Sequence, residues 1–298
     1  MQQSQQSETT ETTGTLERST AIPAQRIGRA FAQASHQGRC ALIPYLMCGF
    51  PSAEQSLEAA LAAIEGGADL LELGLPFSDP LADGATIQHA SHQALERGMS
   101  VSSCLAIARR VADHSSIPLI LMGYYNPVLA YGLQRFCREA AAAGACGLII
   151  PDLTPEEAGP LLQAAHAEGL AMIFLVPPTT PDERIATIVS VAAQEPRGFI
   201  YCVSLSGVTG ARDRLPSHLQ SFIARVRRQS APYDLPLAVG FGVSRPEHVA
   251  EIARYADGAV VGSALVNLLE RYADDAQAQR KAVQDYVRSL REGSSRRS

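Results

Sequence analysis

Apolar residues along this chain fall into short dense runs, separated by longer stretches where they recur every three or four positions. The densest run is DLLELGLP at 69–76, where Leu70, Leu71, Leu73 and Leu75 leave almost no polar face. Runs of this kind belong to parallel strands covered on both sides, whereas a half-exposed strand alternates polar and apolar residues. Comparable runs predict strands at 41–48, 69–76, 117–125, 147–152, 171–177, 199–204, 237–242 and 257–262. Between them, helical spacing predicts helices at 52–65, 85–97, 101–114, 133–143, 154–168, 181–193, 218–230 and 246–256. A short helix at 27–37 leads this series, and a helical region at 264–292, broken near 273–275, ends it. The punctuation agrees. Ser52 reads as an N-cap with Glu54 in the first turn, where a negative charge suits the helix dipole. Gly144 ends 133–143, and Thr154 with Glu157 reads as a capping box.

Eight strand–helix units in this length are what a (β/α)8 barrel requires. An open doubly wound sheet shares the alternation. The count of eight favours the TIM barrel, as does the absence of G-x-G-x-x-G after the first strand, where Cys48-Gly49-Phe50-Pro51 stands instead. Residues 1–26 differ from the rest. They are rich in Gln, Ser and Thr and nearly free of large apolar residues, which predicts disorder. A transit peptide would be Arg-rich and poor in acids, but this segment carries Glu8, Glu11 and Glu17 and has no arginine before Arg18. The expected organisation is a disordered extension at 1–26 and a single barrel domain at 27–298.

Composition narrows the function. The 298 residues carry a net charge of −5, so no basic field draws nucleic acid. No apolar run reaches the length of a membrane span. Six cysteines are scattered without a C-x-x-C and no signal peptide is evident, which predicts reduced thiols and a cytoplasmic location.

In such barrels the chemistry sits where strands end and loops begin. On 69–76, Leu71, Leu73 and Leu75 share one face, and Leu70, Glu72, Gly74 and Pro76 share the other. Glu72 is thus a carboxylate inside an apolar strand, and the next loop adds Asp79 and Asp83. A buried unpaired charge costs several kcal/mol or more, so such a group pairs, stays protonated or performs chemistry. Two readings stand: a structural Glu that caps backbone amides, or one half of an acid/base pair. The other strand ends weigh on the choice. Ser206-Gly207-Val208-Thr209-Gly210, Gly240-Phe241-Gly242-Val243-Ser244 and Gly262-Ser263-Ala264 follow three adjacent strands. Glycine lets backbone amides approach an anion, and Ser263 adds a hydroxyl at a helix start. Any one of these loops is explained by a tight turn alone; three together favour a phosphate seat. Lys281, the one lysine, falls in the terminal helical region, away from any Schiff-base position. The seven histidines fall outside the predicted strand ends, where a metal or a nucleophile relay would need them. Carboxylate acid/base chemistry on a small phosphorylated substrate remains.

The segments LELGLPFSDPLADGATIQ (71–88), LMGYYNPV (121–128), PDL (151–153), YCVSLSGVTGAR (201–212), VGFGVS (239–244) and VVGSA (260–264) carry a resemblance. In this order they resemble the tryptophan synthase alpha chain family, from about residue 27 to the C-terminal helix. The first segment is highly specific to that family; the last two are shared by many phosphate-binding barrels. The resemblance implies a lyase of tryptophan biosynthesis that cleaves indole-3-glycerol phosphate to indole and glyceraldehyde 3-phosphate. Glu72 would be the general acid/base and Asp83 would hold the indole N–H. Tyr201 would lie near Glu72, with Tyr45 and Asp152 lining the pocket. Gly210, Phe241, Gly242, Gly262 and Ser263 would hold the phosphate. The resemblance further implies no cofactor in this chain, and a partner beta chain carrying pyridoxal phosphate in an α2β2 complex. The loop with Asp79 and Pro80, and that with Asn126 and Pro127, would face the partner, and 205–216 would act as a lid. Met47 and Ala85 stand where many relatives carry Thr and Pro. Two competing readings are another phosphate-binding barrel lyase or isomerase, and a non-catalytic activating subunit. The first should lack the 71–88 signature, which is present; the second would have lost Glu72 or Asp83, and both are kept.

Overall fold

The computed structural model describes residues 22–203, 215, 218–240 and 242–296. Of the disorder expected at 1–26, residues 1–21 lie outside them, as does nearly all of the lid at 205–216, whereas Gln25 and Arg26 already belong to the first helix. Eight strands form: β1 (Ala41–Met47), β2 (Leu71–Gly74), β3 (Leu119–Met122), β4 (Ala145–Ile149), β5 (Ala171–Val176), β6 (Ile200–Val203), β7 (Leu237–Gly240) and β8 (Gly258–Val261). They pair in parallel in chain order, and β8 pairs back onto β1 to close the barrel. The predicted TIM barrel is what the chain forms. The helices among the described residues are α1 (Gln25–His36), α2 (Ala53–Glu65), α3 (Ala85–Glu96), α4 (Val101–His114), α5 (Tyr125–Tyr131), α6 (Leu133–Ala142), α7 (Gly159–Ala167), α8 (Asp182–Ala192), α9 (Leu219–Ser230), α10 (Pro246–Ile252), α11 (Ser263–Arg271) and α12 (Ala276–Gly293). The expected break in the terminal helical region falls between α11 and α12.

Two local expectations differ from the structure. Residues 154–157 form a turn rather than the start of a helix. The Glu157 amide bonds to the Thr154 carbonyl at 3.1 Å, but α7 begins only at Gly159, with Pro160 in its first turn where no amide partner is needed. The third strand stops at Met122, and α5 starts at Tyr125, inside the range predicted as strand. The Asp152 carboxylate at the end of β4 accepts the Tyr125 amide at 2.9 Å and so supplies a cap that α5 lacks locally.

The floor of the barrel is plugged by α1, which starts two residues ahead of the predicted helix. Ile27 and Phe31 point into the barrel base. A Cβ on Gly258 would lie 2.9 Å from the Phe31 ring, and one on Gly147 would lie 3.2 Å from Ile27 Cδ1. Glycines on β8 and β4 therefore make room for the plug. Beside it, Asp69 ties four segments together. Its carboxylate accepts from Arg39 Nη2 at 2.7 Å and from the Leu42 amide at 2.8 Å, and Arg291 of α12 adds an ion pair at 3.4 Å. The Arg39 and Asp69 side chains are only 8% and 10% exposed. Removing one partner of a buried pair strands the other charge. Asp69→Ala is thus expected to cost about 3–5 kcal/mol, measured as a lower urea midpoint at unchanged slope. A midpoint equal to wild type would show that the knot carries no net stability.

Candidate active site

Glu72 sits in the middle of β2 and is 1% exposed. Strand register sets it opposite Tyr45 on β1 and Ile120 on β3, so its side chain shares the barrel interior with theirs. Neither carboxylate oxygen has a hydrogen-bond partner among the described residues. That removes the amide-capping reading of Glu72 within the described chain. Burial, and secondarily the charge of Asp83, push its pKa up to about 8. At neutral pH the group therefore holds its proton.

Asp83 is half-buried at the end of the loop that leaves β2. Burial pushes its pKa up to about 6, against the opposing effect of a hydrogen bond from Tyr124. Tyr124 Oη donates to Asp83 Oδ2 at 3.1 Å and accepts the Ala82 amide at 3.0 Å. Its ring packs on Phe77, with centroids 5.2 Å apart. Ser91 of α3 holds Phe77 further: its hydroxyl accepts from the Phe77 amide and donates to the Phe77 carbonyl, each at 2.8 Å. The loop is thus fixed at both ends, while Leu81 between them is 91% exposed. Tyr124 is the residue that sequence reasoning passed over, including it only within the segment LMGYYNPV at 121–128. An aromatic hydroxyl one strand along from an acidic loop was the available signal.

Tyr45 and Tyr201 project into the same interior. Each ring fits because the next strand carries a glycine two residues past its register partner. Tyr45 pairs with Glu72, and a Cβ on Gly74 would lie 2.2 Å from its hydroxyl. Tyr201 pairs with Ala238, and a Cβ on Gly240 would meet its hydroxyl at the same 2.2 Å. Burial, with Glu72 and Asp83 nearby, raises both phenols well above the ordinary tyrosine value. They stay neutral. Glu72, Asp83, Tyr45 and Tyr201 therefore surround one space.

The remaining described candidates follow other strands of the barrel. Asp152, at the end of β4, is exposed and bound to the Tyr125 amide. Gly242 after β7 has φ +76°, with no described residue within 4 Å of where a Cβ would point. Gly262 is the N-cap of α11, and a Cβ on it would lie 3.6 Å from Tyr45. Ser263 is the first residue of that helix, whose N-terminal amides suit an anion. Gly210 and Phe241 lie outside the described residues. Lys281 pairs with Asp285 on α12, away from the strand ends.

Comparison with known proteins bears on this arrangement. A family model described as tryptophan synthase alpha chain matches residues 31–295. The tryptophan synthase alpha chain of Roseiflexus sp. is 53% identical over 267 residues, covering 89% of this chain and 99% of that protein. The alpha chain of Chloroflexus aggregans is 52% identical over 266 residues, covering 89% and 96%. Among solved structures, a chain of Mycobacterium tuberculosis tryptophan synthase superposes with a TM-score of 0.81 at 39% identity, covering 91% of this chain and 98% of that one. The alpha chain of Legionella pneumophila superposes at 0.80 with 33% identity, covering 90% and 96%. The family model and the relatives both span nearly the whole barrel, and the solved structures repeat its fold. On this agreement of sequence and fold, the chain belongs to the tryptophan synthase alpha chain family.

Proposed function

We propose that Glu72 and Asp83 divide the chemistry by which this chain, a lyase of tryptophan biosynthesis, cleaves indole-3-glycerol phosphate to indole and glyceraldehyde 3-phosphate. Glu72, neutral at pH 7, gives its proton to indole C3, and positive charge develops at the indole nitrogen. The Asp83 carboxylate accepts the indole N–H and stabilises that charge. The bond from C3 to the glycerol carbon then breaks, and its electron pair returns to the indole ring. The Glu72 carboxylate takes the proton from the adjacent hydroxyl as the aldehyde forms. One observation carries this reading: a buried carboxyl with no hydrogen-bond partner among the described residues, beside a second carboxyl with a lower pKa. Two carboxyls whose environments separate their pKa values can take different roles, one protonated to donate and one ionised to stabilise charge.

Tyr45 and Tyr201 bound the indole side. Asp152 belongs to the pocket rim, where it also fixes α5. The phosphate is assigned to Gly242, Gly262 and Ser263, with Gly210 and Phe241 completing the seat. We read residues 27–298 as one barrel domain and 1–26 as an extension. Closure of the sheet supports the first part; α1 and the buried Ala24 begin slightly ahead of that boundary. The family works with a beta chain. We assign pyridoxal phosphate to that partner, none to this chain, and an α2β2 assembly to the pair. The exposed Leu81, on the loop after β2, and Leu129, on α5 where the Asn126–Pro127 loop was expected, support that docking face. No helix among the described residues is long and apolar enough to cross a membrane. All six cysteines are free, which supports a cytoplasmic location.

Glu72→Gln is expected to lower indole release by about 10²–10⁴-fold while circular dichroism reports an intact fold; near-normal turnover would remove Glu72 from its role. The pH profile follows from the two values. The rate constant kcat/KM should rise as Asp83 ionises near pH 6 and fall as Glu72 ionises near pH 8. A profile flat from pH 5 to 9 would count against both assignments. Stability carries the same signature. The Glu72 pKa is 4.5 in a model compound and about 8 in the fold, so the native state holds this proton more tightly than the unfolded one. Its contribution is full below the unfolded value and is lost as pH rises through about 8. Glu72→Gln cannot ionise. By thermal scan, its melting temperature relative to wild type should climb between about pH 5 and pH 9, and a constant offset would refute the shift.

A further inference from the structure

The loop leaving β7 has a second anchorage that the chemistry above does not use. Ser244, two residues past Gly242, has its peptide held at both ends by side chains from different helices. Its amide donates to His248 Nδ1 of α10 at 3.3 Å, and its carbonyl accepts from Tyr286 Oη of α12 at 2.9 Å. His248 is 3% exposed. Packing alone does not account for it, since an apolar side chain would fill the space without taking two ring nitrogens out of water. Only one of the two is satisfied. His248 Nε2 has no partner among the described residues, and neither has Ser244 Oγ. With Nδ1 accepting, the ring proton belongs on Nε2, and the neutral imidazole presents its acceptor to the loop. A buried imidazole is thus retained for one bond, and that bond fixes a peptide next to Gly242. Gly242 itself stands in the left-handed region at φ +76°, with no described residue within 4 Å of where its Cβ would be.

We propose that His248 and Tyr286 are positioning residues for the phosphate group: by gripping the Ser244 peptide, they fix the direction in which the β7 loop presents its amides. The inference rests on the reading of that loop as part of the phosphate seat. Donors fixed in advance lose little freedom when the anion arrives. Loosening the grip weakens phosphate binding, while Glu72 and Asp83, on and after β2, keep their surroundings. The signature is a rise in KM for indole-3-glycerol phosphate that exceeds any fall in kcat.

The test uses the full chain, with inorganic phosphate and glycerol 3-phosphate as probes in titration calorimetry, beside steady-state kinetics. His248→Leu removes the acceptor, Tyr286→Phe removes the donor, and His248→Gln offers a carbonyl oxygen in its place. Loss of one such bond is expected to weaken both probes and raise KM by about three- to tenfold in His248→Leu and Tyr286→Phe, with His248→Gln recovering part of the loss. Should His248→Leu fail to fold, Tyr286→Phe decides. Wild-type chain that binds neither probe would overturn the phosphate seat, and the positioning role with it. Wild-type chain that binds both, with Tyr286→Phe and His248→Leu binding equally well, would overturn the positioning role alone and leave the seat intact.

Discussion

Ala41, Leu42, Ile43 and Pro44 of β1 pair with residues 258–261 of β8, and this last seam turns a twisted sheet into a closed wall. The electrostatics of the site follow from that closure. A closed barrel of eight strands is filled by its own side chains, so whatever points inward leaves water. Glu72 and both interior tyrosines point inward. Their raised pKa values have desolvation as the first cause and neighbouring charge only as the second.

Asp83 differs because it hangs on a loop rather than a strand. It is half-buried and bonded by Tyr124, so its pKa rises less. The difference in mounting, strand against loop, separates the two carboxyls in pKa, and the proposed roles of proton donor and charge stabiliser rest on that separation. The elements proposed to bind the anion stand elsewhere on the wall, after β7 and at the start of α11. In that proposal a substrate is held by its phosphate at one end while its ring meets Glu72 at the other.

Glu72 was legible in sequence because a carboxylate interrupting an apolar strand has few physical explanations. The eight strands were legible because parallel strands covered on both faces have no polar alternation to mislead. Their ends were not, since a ladder stops where its neighbour stops: β3 ends at Met122, and Asp152 draws Tyr125 into α5. Thr154 and Glu157 have the residue types of a capping box, but Pro160 sets the helix start later. Tyr124 and Asp83 are forty-one residues apart, and only the barrel brings them together. The tyrosine positions came from family resemblance. Their physical mark, a glycine two places past the register partner, becomes visible only once register is known. His248 escaped because its value lies in a main-chain bond, which no spacing of side chains reveals.

The closing seam also has a consequence for synthesis. Ribosomes deliver β1 first and β8 last, and Cys40 and Arg39 pair with Ser294 and Ser295 near the far end of the chain. Until those residues emerge, β1 is a bare edge of unpaired amides and carbonyls flanked by apolar side chains. Such edges recruit other chains. Polypeptides cut short before residue 258 are therefore candidates for chaperone capture or aggregation, rather than smaller working barrels.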